Sequence, residues 1–179
     1  MRIYPFLIAA TAILTSCSNE TGTDSSKNES NIDTAKIDYA YTIQHPDSWE
    51  WGKRSNTQMV LKGLKAYENG NIEETVKDFA DTVKLEFDGF EAKVGKDSLI
   101  ALFKRLRSEA KSMTIKMEDF ESVKSKDGKE EYVSLWYKQI WEDQKGKKDS
   151  VECMDDIRIE NGKIALLNQK IRHFGSRKM

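Results

Sequence analysis

From Met113 to Phe174 apolar and polar residues alternate with a period of two, interrupted at three turn-forming sites, and only a sheet satisfies that pattern. Successive side chains of a strand point to opposite faces, so strict alternation marks a strand with one face buried. Asp127-Gly128 and Asn161-Gly162 are two-residue hairpin signals, because Asn, Asp and Gly tolerate the positive φ that such turns need. Lys145-Gly146-Lys147 supplies the third turn. Three turns separate four strands, read as Met113–Lys124, Glu130–Gln144, Lys148–Glu160 and Lys163–Phe174, in an antiparallel meander.

Register decides which face is buried. Val133, Leu135, Tyr137, Gln139 and Trp141 share one face of the second of these strands. Val151, Cys153, Asp155, Ile157 and Ile159 form the more apolar face of the third. Setting the two faces together places Tyr137 opposite Asp155 and centres an odd-length loop on Gly146. The Asn161-Gly162 turn then places Ile159 opposite Ile164, Ile157 opposite Leu166, and Asp155 opposite Asn168. In the first strand Met113, Ile115 and Met117 alternate while Phe120 falls out of step, which predicts a β-bulge near Glu118-Asp119.

Ahead of the meander the period changes. Asn56 to Asn69 places Val60, Leu61, Leu64 and Tyr67 on one helical stripe and ends at Gly70. Asn71, with Glu74 three residues on, has the spacing of a capping box, and Ile72, Val76 and Phe79 form the buried stripe of a short second helix. Val83, Leu85 and Phe87 alternate with Lys84, Glu86 and Asp88 as a half-buried strand, and Phe90 to Val94 returns as its partner. Asp97 or Ser98 is expected to cap a third helix carrying Leu99, Ile100, Phe103 and Leu106.

Helix, helix, strand, strand, helix and four-stranded meander is an order that resembles the nuclear-transport-factor-2-like superfamily over residues 56–174. Ala66-Tyr67-Glu68-Asn69-Gly70-Asn71, Phe79 to Phe87, Gly95-Lys96-Asp97-Ser98-Leu99 and Asn161-Gly162-Lys163-Ile164 resemble its SnoaL-like branch. The resemblance implies an α+β fold: a curved antiparallel sheet wrapped around three N-terminal helices as a cone with one open mouth. It implies isomerase, cyclase, dehydratase or binding roles without choosing among them, since fold does not fix function.

The residues themselves single out Asp155, the one acid among Val151, Cys153, Ile157 and Ile159. Desolvation raises the pKa of a buried carboxyl. The assumed register gives it Tyr137 and Asn168 as cross-strand neighbours, with Gln139, Lys170 and Trp141 towards the mouth as candidate ligand contacts. Asp155 as base and Tyr137 as hydrogen-bond donor would suit proton transfer beside a carbonyl. The competing reading ties Asp155 to Lys170, or to its tyrosine and asparagine neighbours, as part of the core. His173 falls on the opposite face from Asp155 in this register. Tyr132, Trp136 and Ile140 lie on the outer face, which suits a homodimer contact.

The first residues carry an address. Arg2 is followed by an apolar stretch from Ile3 to Leu14, too short to stay in a bilayer as a helix of about 20 residues. Leu14-Thr15-Ser16-Cys17 resembles the bacterial lipobox, in which the cysteine is acylated and becomes the new N-terminus. The expected organisation is a signal peptide over 1–16, a lipidated polar tether over 17–38, an aromatic linker over 39–55 and the domain over 56–174. The tether, rich in Ser, Asn, Thr and Asp, buries too little apolar surface to fold. In the linker Trp49 and Trp51 are expected to pack on the domain, with a lid over a pocket as the alternative. Ser18 rather than Asp after the cysteine implies, by analogy with such lipoproteins, the outer membrane of a bacterial envelope.

Charge narrows the partners. Lys and Arg total 29 against 30 Asp and Glu, interspersed throughout, so no basic patch for nucleic acid is expected. Lipidation of Cys17 leaves Cys153 without an intramolecular partner, and no cysteine–histidine spacing suits a metal. No cofactor is expected. Three classes of function follow: a non-catalytic, membrane-tethered binder of a small apolar or amphipathic molecule; an isomerase-, cyclase- or dehydratase-type enzyme; and an interaction or structural lipoprotein with a filled cone.

Overall fold

The computed structural model describes residues 38–46 and 49–174. The signal peptide, Cys17 and the tether up to residue 37 lie outside the described residues. The chain divides into units 1–40 and 41–179. Of the first only Asp38, Tyr39 and Ala40 are described, and they are exposed.

The second unit runs β1 (Trp49–Trp51), α1 (Arg54–Glu68), α2 (Ile72–Val76), β2 (Phe79–Phe87), β3 (Phe90–Gly95), α3 (Lys96–Ser108), β4 (Ala110–Ser125), β5 (Glu131–Asp143), β6 (Lys148–Glu160) and β7 (Lys163–His173). The strands form one curved sheet in the order β1-β4-β5-β6-β7-β2-β3. The sheet is not wholly antiparallel as expected: β2 runs parallel to β7, joining the first hairpin to the last strand of the meander. The helices cover one face, where Val60, Ile72, Val76, Leu99 and Phe103 pack with Leu85, Val133, Leu135 and Ile157.

α1 ends because Gly70 takes φ +80°, open to glycine at little cost. The Gly70 amide donates to Tyr67 O and the Asn71 amide to Ala66 O, satisfying two terminal carbonyls. The Asn71 side chain then accepts from the Glu74 amide at 3.2 Å and starts α2. Neither Asp97 nor Ser98 caps α3. Its N-cap is Gly95 in extended conformation, and Asp97 sits in the first turn, where negative charge favours the helix dipole.

Two expected pairings shift. Tyr137 stands opposite Cys153, and Leu135 opposite Asp155. The β5–β6 loop is centred on Lys145: Gly146 is left-handed at φ +85°, and the Asp143 carboxylate accepts from the amides of Lys145 and Lys147. In β7, Ile164 pairs with Ile159 as expected, but Ala165 is an extra residue, so Leu166 meets Arg158, Leu167 meets Ile157, and Gln169 meets Asp155. The bulge expected in β4 is present, with Glu118 between the pairs Met117–Tyr137 and Asp119–Trp136.

The aromatic linker contributes an edge strand rather than a lid. β1 pairs with the end of β4, Trp49 opposite Ser125 and Trp51 opposite Val123. Trp49 meets Tyr132 edge-on at 5.9 Å and His45 at 4.9 Å, on the outer face. Trp51 does not pack as expected and is 82 % exposed. The outer face also carries Trp136 opposite Met154, beside the ion pairs Lys170–Asp156 and Arg172–Glu152.

Candidate functional site

β6 is the middle strand of seven, so the helix-facing side of its centre is well shielded from solvent. Asp155 occupies it, flanked along the strand by Cys153 and Ile157, and is 3 % exposed. Tyr137 on β5, 2 % exposed, donates its hydroxyl proton to Asp155 Oδ2 at 3.0 Å. Gln169 on β7 donates Nε2–H to Tyr137 Oη at 3.0 Å. The three side chains form a relay across three adjacent strands that ends on the carboxylate. Asp155 Oδ1 is buried and has no hydrogen-bond partner.

Asp155 lines a cavity of about 480 Å³ between helices and sheet. Tyr67, Phe79, Phe87, Phe103 and Trp141 supply much of its wall. Phe103 joins them into a cluster, 5.6 Å from Tyr67 and 6.0 Å from Phe79 between ring centroids. The charged and titratable side chains on the lining are Asp155, Asp88, Glu109, His173 and the two tyrosines; no Lys or Arg is among the described lining residues.

The electrostatics follow from burial. Desolvation pushes the Asp155 carboxyl from 3.8 up to about 6, against the opposing pull of the Gln169 amide and the Tyr137 hydroxyl. Burial and the adjacent carboxylate hold Tyr137 well above the usual phenol range. Cys153, beside them, is pushed up to about 12 by burial and by Asp155, so its thiol stays protonated. A carboxyl near 6 with one vacant acceptor can accept from a ligand donor or exchange a proton near neutral pH. Among the described residues no three His, Cys, Asp or Glu side chains converge as a metal site requires.

Of the residues singled out from sequence, Asp155, Tyr137, Gln139 and Trp141 all line the cavity. Asn168 and Lys170 do not. The Ala165 bulge turns both to the other face, where Asn168 donates to Glu86 at 2.6 Å and Lys170 pairs with Asp156 at 2.9 Å. Lys170 therefore leaves Asp155 unpaired. The same bulge brings in Gln169 and His173, which strict alternation had placed outside. The run Ile164-Ala165-Leu166-Leu167 was the available signal: four consecutive apolar residues carry no frame for alternation.

No described protein family and no curated protein matches this sequence. Solved structures match its fold. AusH from Aspergillus nidulans aligns with a TM-score of 0.55 at 15 % identity, over 68 % of this chain and 86 % of its own. An NTF2-like protein of unknown function from Burkholderia pseudomallei aligns at 0.55 and 15 %, over 67 % and 92 %. A protein with a ketosteroid isomerase-like fold from Catenulispora acidiphila aligns at 0.52 and 11 %, over 63 % and 84 %. The fold is nuclear-transport-factor-2-like, and at these identities the likeness is one of fold.

Proposed function

We propose that this chain is a lipid-anchored binding protein that takes a small, largely apolar molecule into the cavity and holds it by one polar group at Asp155. One observation carries the reading: Asp155, whose Oδ1 is buried and unpartnered among the described residues, lines an aromatic-walled space of about 480 Å³. A buried acceptor left without a donor costs about 1–3 kcal/mol, and more if charged. A ligand donor at that oxygen recovers the loss, while the volume falls in the range of small-molecule sites. The lipobox-like Leu14-Thr15-Ser16-Cys17 supports anchoring by acylated Cys17 to a bacterial envelope membrane, the outer one by the analogy of Ser18.

A second reading, proton transfer of the isomerase, cyclase or dehydratase kind, is favoured by the Asp155 carboxyl held near 6, a value suited to a general base. The hydrogen-bond direction weighs against it. Tyr137 has one hydroxyl proton and gives it to Asp155 Oδ2, so it has none to offer a substrate carbonyl.

The test is Nile red, a neutral apolar dye, titrated into the full chain and into Ile171→Trp, which fills part of the cavity. Enhanced emission with the wild type and its loss in the filled variant are expected. Equal emission from both would place apolar binding elsewhere and overturn the reading.

A further inference from the structure

We infer that the cavity selects a protonated amine with an apolar body over neutral and anionic molecules of the same shape. This rests on the binding reading above and names the class of ligand that the site would take. Among the described lining residues the acidic and basic side chains other than His173 are all acids: buried Asp155, and Asp88 from the β2–β3 turn and Glu109 where α3 gives way to β4, both exposed. His173, at the end of β7, is exposed.

Among the described residues the nearby cations Arg107 and Lys170 are already engaged. Arg107 on α3 reaches towards α1, but its guanidinium donates to the carbonyls of Tyr67, Glu68 and Ala110, at 3.2, 3.2 and 2.8 Å. Lys170 is on the other face of the sheet, bound to Asp156. Among the described residues no cation therefore neutralises the Asp155 carboxylate from within the cavity.

Geometry agrees with the charge. A buried carboxylate oxygen with no partner accepts a hydrogen bond and offers none, so it calls for an N–H or O–H donor, and a charged donor is the stronger. The aromatic walls then suit both parts of such a ligand, because ring faces attract a cation and bury an apolar chain. An anionic ligand would enter a space lined by three carboxyl groups and find no lysine or arginine among its described lining residues.

The experiment is calorimetric titration of the full chain in mild detergent at pH 8 with three probes of one shape: 4-phenylbutylamine, 4-phenylbutan-1-ol and 4-phenylbutanoate. The amine is expected to bind at least tenfold more tightly than the alcohol, and the carboxylate more weakly than either. In Asp155→Asn the amine and alcohol should converge. Glu109→Gln, which leaves the buried relay intact, should reduce the amine's advantage in part. An alcohol as tight as the amine, or a carboxylate tighter than both, overturns the charge selection while leaving a binding cavity. Failure of all three probes to bind overturns the selection and the binding reading together.

Discussion

Gln169, and not Asn168, stands opposite Asp155, because Ala165 is an extra residue in β7. That register sets which polar groups reach the cavity. It sends Asn168 and Lys170 to Glu86 and Asp156 on the outer face and leaves the Asp155 carboxylate without an ion-pair partner among the described residues. It also completes the relay in which the Gln169 amide orients the Tyr137 hydroxyl towards Asp155.

Deleting Ala165 should straighten β7 without changing which residues reach the cavity. It would remove the bulge while keeping Leu166 opposite Arg158, Leu167 opposite Ile157 and Gln169 opposite Asp155, so Gln169 and Ile171 would keep their faces. The expected loss is about 1–3 kcal/mol, from the buried Ala165 side chain and local strain, well short of core disruption. Urea unfolding of the deletion variant beside the wild type checks it.

Asp155 makes stability depend on pH with a defined sign. Its folded pKa, about 6, lies above the ordinary 3.8, so between those values the native state binds more protons than the unfolded one. Stability from this group is full below about pH 4 and is lost as pH rises through 6. Asp155→Asn should then be more stable than the wild type at pH 8, by up to about 3 kcal/mol at 1.36 kcal/mol per pKa unit. The gain should shrink to nothing near pH 4. Thermal melts of both proteins from pH 4 to 8 measure it. A carboxyl that weakens the fold at neutral pH is the kind of residue retained for a site's chemistry.

Tyr137→Phe removes the hydroxyl that donates to Asp155 Oδ2 and leaves that oxygen bare as well. The expected cost is about 1–3 kcal/mol at pH 8. Because the lost hydrogen bond favoured the ionised form, the Asp155 pKa should rise further. NMR titration of the side-chain carboxyl carbon in both proteins gives the direction.

Gly52 lets β1 lie against β4. A Cβ there would fall 2.2 Å from Ser122 Oγ and 2.9 Å from the Val123 amide nitrogen, with the Gly52 amide already bonded to Ser122 O at 2.7 Å. Gly52→Ala should cost about 1–3 kcal/mol by forcing the strands apart. Trp49 should lose its contact with Tyr132, visible as a red shift in tryptophan emission.

Legibility in the sequence followed the strength of the alternation. β6 occupies the bounds read for it, Lys148–Glu160, because Glu152, Asp156 and Arg158 mark its outer face clearly despite Met154 among them. The β4 bulge was readable since Phe120 breaks an otherwise regular count. The β7 bulge was not, because Ile164, Ala165 and Leu166 are all buried and the usual contrast between faces vanishes. β1 escaped notice because a three-residue edge strand with an exposed Trp51 offers too few residues for any period. At the site, Asp155 and Tyr137 could be found as polar groups on apolar faces, whereas Gln169 and His173 depended on a register that β7 conceals.

The central claim, a small molecule held in the cavity at Asp155, is tested most directly through Trp141 and Trp136. Trp141 lines the cavity, and Trp136 sits on the opposite face of the same strand, so the second is an internal control for the first. Indole N–H signals of nitrogen-15-labelled full-length protein, assigned with Trp141→Phe and Trp136→Phe, would be followed during titration with 4-phenylbutylamine. A saturable shift at Trp141 with Trp136 unmoved, weakened at least tenfold in Asp155→Asn, is the expected result. No shift at Trp141 up to millimolar probe, or a shift at Trp136 alone, would contradict the account.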